Sequence, residues 1–156
     1  MRERMRLRMG KSSIPGAGIG VFAVGTPEQI AENTPVFLKD TIITHYGGDV
    51  VGPQTLNERY GASLAPYTMQ FADMPQLFMD AALNRHVSAM INHIAMDDPG
   101  NNVYVYNHDQ KIILMVAKRD IFSGEELLYD YGPEYWKKAK KFAKCHSTKP
   151  AASPVP

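Results

Sequence analysis

Two short stretches hold the residues best suited to chemistry. Ala89–Asn102 reads Ala-Met-Ile-Asn-His-Ile-Ala-Met-Asp-Asp-Pro-Gly-Asn-Asn and puts Asn92 and His93 in a polar kink after an apolar turn. Gly124–Gly132 reads Gly-Glu-Glu-Leu-Leu-Tyr-Asp-Tyr-Gly. Side chains alternate along an extended segment, so Tyr129 and Tyr131 share one side. Phenol rings pack on apolar stems while their hydroxyls hydrogen-bond, and the Asn-His pair adds donors and acceptors. An apolar hairpin between the stretches would bring their ends together. The spacing predicts a ligand pocket assembled from both.

Other constellations fail on spacing. Gly16-Ala-Gly-Ile-Gly-Val-Phe suggests a dinucleotide loop, but Val21 stands where the third glycine belongs, and no strand precedes it. Its glycines still indicate a close backbone approach. Gly10-Lys11-Ser12 lacks the upstream glycine of a phosphate loop. His86, His93, Asp97, Asp98 and His108 match no common ligand spacing, and the single Cys145 rules out a cysteine zinc site or an internal disulfide. No metal is expected. Asp130 reads as a backbone cap rather than a base.

The elements must position these residues. A chain of 156 residues with 44% hydrophobic content suits one domain with a core. Eleven prolines and twelve glycines argue for short elements and many turns. Alternation predicts strands at Met1–Met9, with arginines outward, and at Tyr67–Phe71. Short apolar runs add strands at Val21–Val24, Val36–Leu38 and Thr41–Tyr46, the last stopped by Gly47-Gly48. Thr26–Asn33 is a polar connection with room for one helical turn. A short helix fits Thr55–Tyr60, and a single turn fits His86–Ile91. Leu77–Ala82 is an apolar run. Val103–Tyr106 and Ile112–Ala117 form a hairpin whose second strand, apolar throughout, should be central. Pro133–Lys144 reads as a helix, with proline in its first turn and lysines late. The fold class is mainly β, with several short strands and few short helices.

Charge is uneven. Residues 1–11 carry a net +4 and residues 134–156 a net +5, so the overall +1 leaves −8 on residues 12–133. An acidic body between basic ends suits a basic peptide better than nucleic acid, and no nucleic-acid recognition motif is present. No apolar run reaches membrane-span length, and Met1–Gly10 is too charged for a signal peptide, so an intracellular location is expected. Residues 147–156, rich in Pro, Ala and Ser, read as a disordered tail.

Four motifs in order resemble a SET-domain protein lysine methyltransferase. Gly18-Ile19-Gly20-Val21-Phe22-Ala23 resembles G-x-G-[LV]-F-A. Tyr46-Gly47-Gly48-Asp49 resembles Y-x-G-E. Ile91-Asn92-His93, with Pro99 to Asn102, resembles R-F-x-N-H-S-x-x-P-N, although Ala89-Met90 replaces Arg-Phe and Ile94 the serine. Gly124–Gly132 resembles G-E-E-L-x-[FY]-D-Y nearly residue for residue. The match spans Arg6 to Trp136 and resembles the minimal viral and microbial members, without flanking zinc clusters.

The resemblance implies a SET fold, β-clip-like, of small curved sheets with a knot-like C-terminal threading. It implies one domain over residues 1–146, with 134–146 a helical segment closing the site. It implies S-adenosylmethionine held by Gly18, Ile19, Gly20, Asn92, His93 and Tyr131, with Tyr135 or Trp136 on the adenine. A lysine from a protein, a histone tail in the first instance, would enter from the opposite face between Tyr131, Tyr129 and Tyr46, with Tyr67 and Tyr104 along the channel. Tyr131 would supply the essential hydroxyl. Tyr129, at a Phe/Tyr switch position, would favour monomethyl product. A nuclear location and a homodimer accord with that resemblance. The alternative is a catalytically weak module of the same fold that binds a lysine-rich tail.

Overall fold

The computed structural model describes residues 6–108, 111–133 and 135–137. Four small sheets and little helix make up this part. Strands β1 (Leu7–Lys11) and β2 (Ile19–Ala23) pair antiparallel, with Gly10 opposite Gly20. Helix α1 (Pro27–Glu32) follows, then β3 (Ile42–His45), β4 (Asp49–Val51) and helix α2 (Pro53–Tyr60). Next come β5 (Thr68–Gln70), β6 (Phe78–Asp80), a 3-10 turn (Val87–Met90) and β7 (Asn92–His93). Strands β8 (Val103–His108), β9 (Ile112–Ala117) and β10 (Leu128–Tyr129) complete the series.

The hairpin β8–β9 is the structural centre. Its register runs from Val103 opposite Ala117 to His108 opposite Ile112, and β3 pairs on the other edge of β9. Ile113, Met115 and Ala117 of β9 are fully buried, as the unbroken apolar run predicts for a central strand. A second sheet has the order β4-β6-β5, which leaves β5 with one free edge.

Several local expectations shift. Thr26–Asn33 is a true helix, because Thr26 and Gln29 form a reciprocal capping box and Asn33 closes it in the left-handed region at φ 52°. Val36–Leu38 is not a strand; only Phe37 makes a bridge, to Ile121. Helix α2 begins at Pro53, two residues earlier than expected, because proline's fixed φ suits the first helical turn. The alternation in β1 is imperfect: Met9 is exposed although it shares a face with buried Val21. Arg6 and Arg8 lie over the rings of Phe37 and Phe22, at 4.2 and 4.7 Å, so the outward arginines cover apolar rings. In the C-terminal segment Pro133 and Tyr135–Lys137 are helical. The remainder of that expected helix, the tail 147–156 and Met1–Met5 lie outside the described residues. No helix among the described residues is long and apolar enough to cross a membrane.

Candidate active site

The two stretches meet because β10 runs parallel to β7, with Leu128 opposite Asn92 and Tyr129 opposite His93. On the other flank of β10 stands Asn102, which is 1% exposed. Its backbone N–H donates to the Leu128 carbonyl, its amide donates to the Glu126 carbonyl, and its side-chain oxygen accepts from Leu128 N–H, at 3.1, 2.9 and 2.9 Å. Residues 126–129 therefore lie between the two ends of the segment 91–102. Asn102 fixes this arrangement from one flank and β7 from the other. Asp130 caps backbone as expected, accepting from Gly132 N–H at 2.7 Å and Met96 N–H at 3.1 Å.

Glu126 ties β2 into the same place. Its carboxylate accepts from the Ser12 hydroxyl (2.6 Å) and from the Ser13 backbone N–H (2.9 Å) and hydroxyl (2.6 Å). The Asn92 amide donates to the Ile19 carbonyl at 3.0 Å and reaches Glu126 at 3.4 Å. Burial alone would raise the Glu126 pKa, but bonds from Ser12, Ser13 and Asn92 outweigh it and lower the value. A Cβ on Gly20 would collide with the Glu126 carboxylate and stand 3.3 Å from the Asn92 amide, which explains a glycine there. Gly18 has φ +73°, a backbone state favouring glycine.

From this frame the rings project. Tyr131 stands 4.9 Å, centroid to centroid, from Tyr129 and 4.9 Å from Tyr135. Its hydroxyl donates to the Ile91 carbonyl at 2.8 Å. The Tyr46 hydroxyl donates to the Tyr67 carbonyl, also at 2.8 Å. Tyr46, Tyr129, Tyr131 and Tyr135 line part of a cleft of about 240 Å³ that has no charged side chain among its described lining residues. Tyr67 lies buried beside them, 3% exposed, with Arg85 over its ring at 4.1 Å. Its hydroxyl is buried with no hydrogen-bond partner among the described residues.

Burial raises the pKa of Tyr131 well above the ordinary phenol value, and neighbouring Tyr129, Tyr135, Tyr46 and Tyr67 add to it. Tyr129 and Tyr46 are raised as well, chiefly by burial, and Tyr135 to about 12 by burial and then Tyr67. All four phenols keep their protons at neutral pH, so none serves as a base.

Tyr131 also neighbours His93 and Trp136. The His93 ring centroid lies 5.2 Å from that of Tyr131 and 4.7 Å from that of Trp136, and the Trp136 and Tyr131 rings are nearly parallel with centroids 6.2 Å apart. His93 Nδ1 accepts from Tyr131 N–H at 3.0 Å and from Trp136 Nε1–H at 3.3 Å. Two donors on Nδ1 require the neutral ring with its proton on Nε2. Burial lowers the His93 pKa, and Asp130 at 3.7 Å opposes this only in part.

Most of the expected site residues therefore gather around Tyr131. Asn92 is 1% exposed and is spent on the Ile19 carbonyl and Glu126, so its side chain joins strands together. Tyr104 does not join the tyrosine cleft. It projects from β8 on another surface, 37% exposed, with its hydroxyl on Asp40 at 3.3 Å, because its register on β8 turns it to the outer sheet face. Sequence reasoning quoted Glu126 and Asn102 inside motifs but gave neither them nor Ser12 a role. A further signal is polarity at positions where alternation and neighbouring apolar residues predict burial. Among the described residues no group of three His, Cys, Asp or Glu side chains is placed to hold a metal ion.

The fold and this arrangement define a class. A family model described as the SET domain matches residues 18–132, and the chain belongs to that family. The Arabidopsis thaliana histone H3-lysine(4) N-trimethyltransferase ATX1 is 33% identical over 137 residues, covering 84% of this chain and 12% of that protein. Histone-lysine N-methyltransferase EZH2 of Chaetomium thermophilum is 26% identical over 139 residues, covering 85% and 8%. The chain spans only about a tenth of these curated relatives' length. The Chaetomium thermophilum polycomb repressive complex 2 matches in structure with a TM-score of 0.63 at 22% identity, over 81% of this chain and 15% of that one. A structure described as ctPRC2 in an autoinhibited conformation bound to S-adenosylmethionine matches with a TM-score of 0.64 at 22% identity, over 89% and 17%.

Proposed function

We propose that this domain is a protein-lysine N-methyltransferase that uses S-adenosylmethionine and acts on a histone tail, mainly to monomethyl-lysine. The observation that carries the reading is the cleft lined by Tyr46, Tyr129, Tyr131 and Tyr135, uncharged among its described residues, with the Tyr67 hydroxyl buried beside them and without a hydrogen-bond partner among the described residues. An unsatisfied buried hydroxyl costs free energy until a polar group or a water meets it. A lysine fits this end: its apolar stem packs on phenol rings and its amine meets their oxygens.

A second group of rings against Tyr131 suits the cofactor. Trp136 and His93 form an aromatic wall, with Tyr135 shared between it and the cleft, and aromatic faces suit a purine and a sulfonium. The Asn92–Ile19 bond brings the glycine strand beside that wall. Gly18, Ile19, Gly20 and the backbone at Asn92-His93 would hold the ligand, with Tyr135 or Trp136 on the adenine. When bound, S-adenosylmethionine supplies an electrophilic methyl group.

The chain's own groups prepare the amine. A lysine carries its proton in water, with a pKa of roughly 10.4. An uncharged, desolvated cleft disfavours the ammonium form, so the amine docks neutral and its proton goes to solvent. Tyr131 and Tyr46 donate to the carbonyls of Ile91 and Tyr67, so their oxygens present lone pairs to the amine hydrogens. The nitrogen lone pair is left free to react, and orientation does most of the work. Tyr129 is 8% exposed and brings a hydroxyl into this end, which leaves little room for a second methyl. A trimethyltransferase name on one relative does not transfer to this pocket. The peptide would lie extended on the free edge of β5, whose three residues all border the cleft. A nuclear location and assembly as a homodimer belong to the same proposal.

The test pairs calorimetry with methyl transfer. Wild type should bind S-adenosylmethionine and methylate core histones. Tyr131→Phe should keep binding within a few-fold and lose transfer by roughly 100-fold or more. Cofactor binding without transfer in the wild type would leave a tail-binding module instead. Retention of more than about a tenth of the rate in Tyr131→Phe would reject the role of its hydroxyl.

A further inference from the structure

The cleft continues past its tyrosines. Its remaining walls include Leu56 of α2, Leu64 and Pro66 of the loop that follows, Met69 of β5 and Phe78 of β6, each half-buried. The helix supplying Leu56 is pinned in place. Arg59 and Tyr60, at its end, both bind fully buried Asp80, at 2.8 and 3.0 Å. The apolar wall is thus pre-formed, and covering it releases water from apolar surface.

Geometry relates this wall to the lysine. Tyr67, at the start of β5, marks the tyrosine end through its contact with Tyr46, while Phe78 pairs with Gln70 at the other end of β5. In an extended peptide, residues i and i±2 face the same side, about 6.6–6.8 Å apart. A peptide laid on β5 with its lysine among the tyrosines therefore aims the residue two positions away at the apolar wall.

We propose that the cleft selects an aliphatic residue (Val, Leu, Ile or Met) two positions from the modified lysine, on one side only, with Leu56, Leu64 and Phe78 determining that choice. The proposal rests on the lysine-methylation reading above. An antiparallel peptide places this residue at −2, and a parallel one at +2. Leu56, Leu64, Met69 and Phe78 offer no charge, so Asp, Glu, Lys or Arg set against them would lose hydration without gaining a partner.

A degenerate lysine-peptide library, methylated by the full chain and read by mass spectrometry, tests this. Aliphatic residues at one of the two positions should raise kcat/KM at least roughly tenfold over Gly or Asp, mostly through KM. Leu64→Arg should shift the preference at that position to Asp and Glu, with cofactor affinity and melting temperature unchanged. Should that variant not fold, Leu64→Ala should narrow the aliphatic preference severalfold. Methylation with a flat profile at both positions overturns the inference and leaves the methyltransferase reading standing. Failure to methylate every library peptide and whole histones alike overturns the underlying reading and this inference with it.

Discussion

Tyr129 and Tyr131 differ by what their hydroxyls do. Tyr131 donates to a carbonyl, lines the cleft and also neighbours His93 and Trp136. Tyr129 fills space inside the cleft. Removing one oxygen at each position should therefore have different effects. Tyr129→Phe should retain turnover and move the product toward dimethyl- and trimethyl-lysine, as resolved by mass spectrometry. An unchanged product ratio, or trimethyl-lysine as the main wild-type product, contradicts the space-filling account. These rings were readable from Gly124–Gly132 because period-two spacing alone puts both on one side. Glu126 was not readable in the same way. A glutamate in Gly-Glu-Glu looks like surface charge until Ser12, Ser13 and Asn92, distant in sequence, are seen to satisfy it. Tyr104 was expected along the channel from its aromatic type; its register on β8 leaves it 37% exposed, lining a second cavity together with Tyr129 and Asp130.

Polar joints hold the site's elements alongside the apolar core that contains Tyr46, Ile91 and Tyr129. Asn102 is the clearest case, since three of its groups bind the strand that carries Tyr129. Asn102→Ala should leave the Leu128 N–H and the Glu126 carbonyl unsatisfied, costing about 2–4 kcal/mol for two buried groups. Urea denaturation should show that loss, and amide exchange at Leu128 should accelerate well before global unfolding. A variant with wild-type stability would show that water replaces the amide. The order of short strands and the buried β9 were legible from apolar patterning. The helix at Pro27–Glu32 was also encoded, in Thr26 and Gln29, but its outward face carries no apolar stripe and so gave no periodic signal. The bridge at Phe37 illustrates the reverse: an apolar triplet supplies burial without a ladder, because Leu38 turns out to solvent.

Across the whole molecule, acid should loosen the fold in two stages. His93 has a pKa lowered from 6.5, so its contribution is present above pH 6.5 and is lost as pH falls through its folded value. Protonation also removes the acceptor shared by Tyr131 and Trp136. Glu126 has a pKa lowered from 4.5, so its contribution is present above pH 4.5 and lost below it. Denaturation midpoints measured from pH 8 to 3 should fall first below pH 6.5 and again below 4.5, and Glu126→Gln should flatten the lower stage. A midpoint independent of pH across that range would contradict both assignments.

In the proposed function one ring, Tyr131, separates a methyl donor beside His93 and Trp136 from a lysine in the tyrosine cleft. Tandem mass spectrometry of core histones incubated with the full chain and S-adenosylmethionine would read this out. Single methyl groups on lysine side-chain nitrogens should appear with the wild type and be lost with Tyr131→Phe. Methyl groups on residues other than lysine, or equal lysine methylation by both proteins, would contradict it.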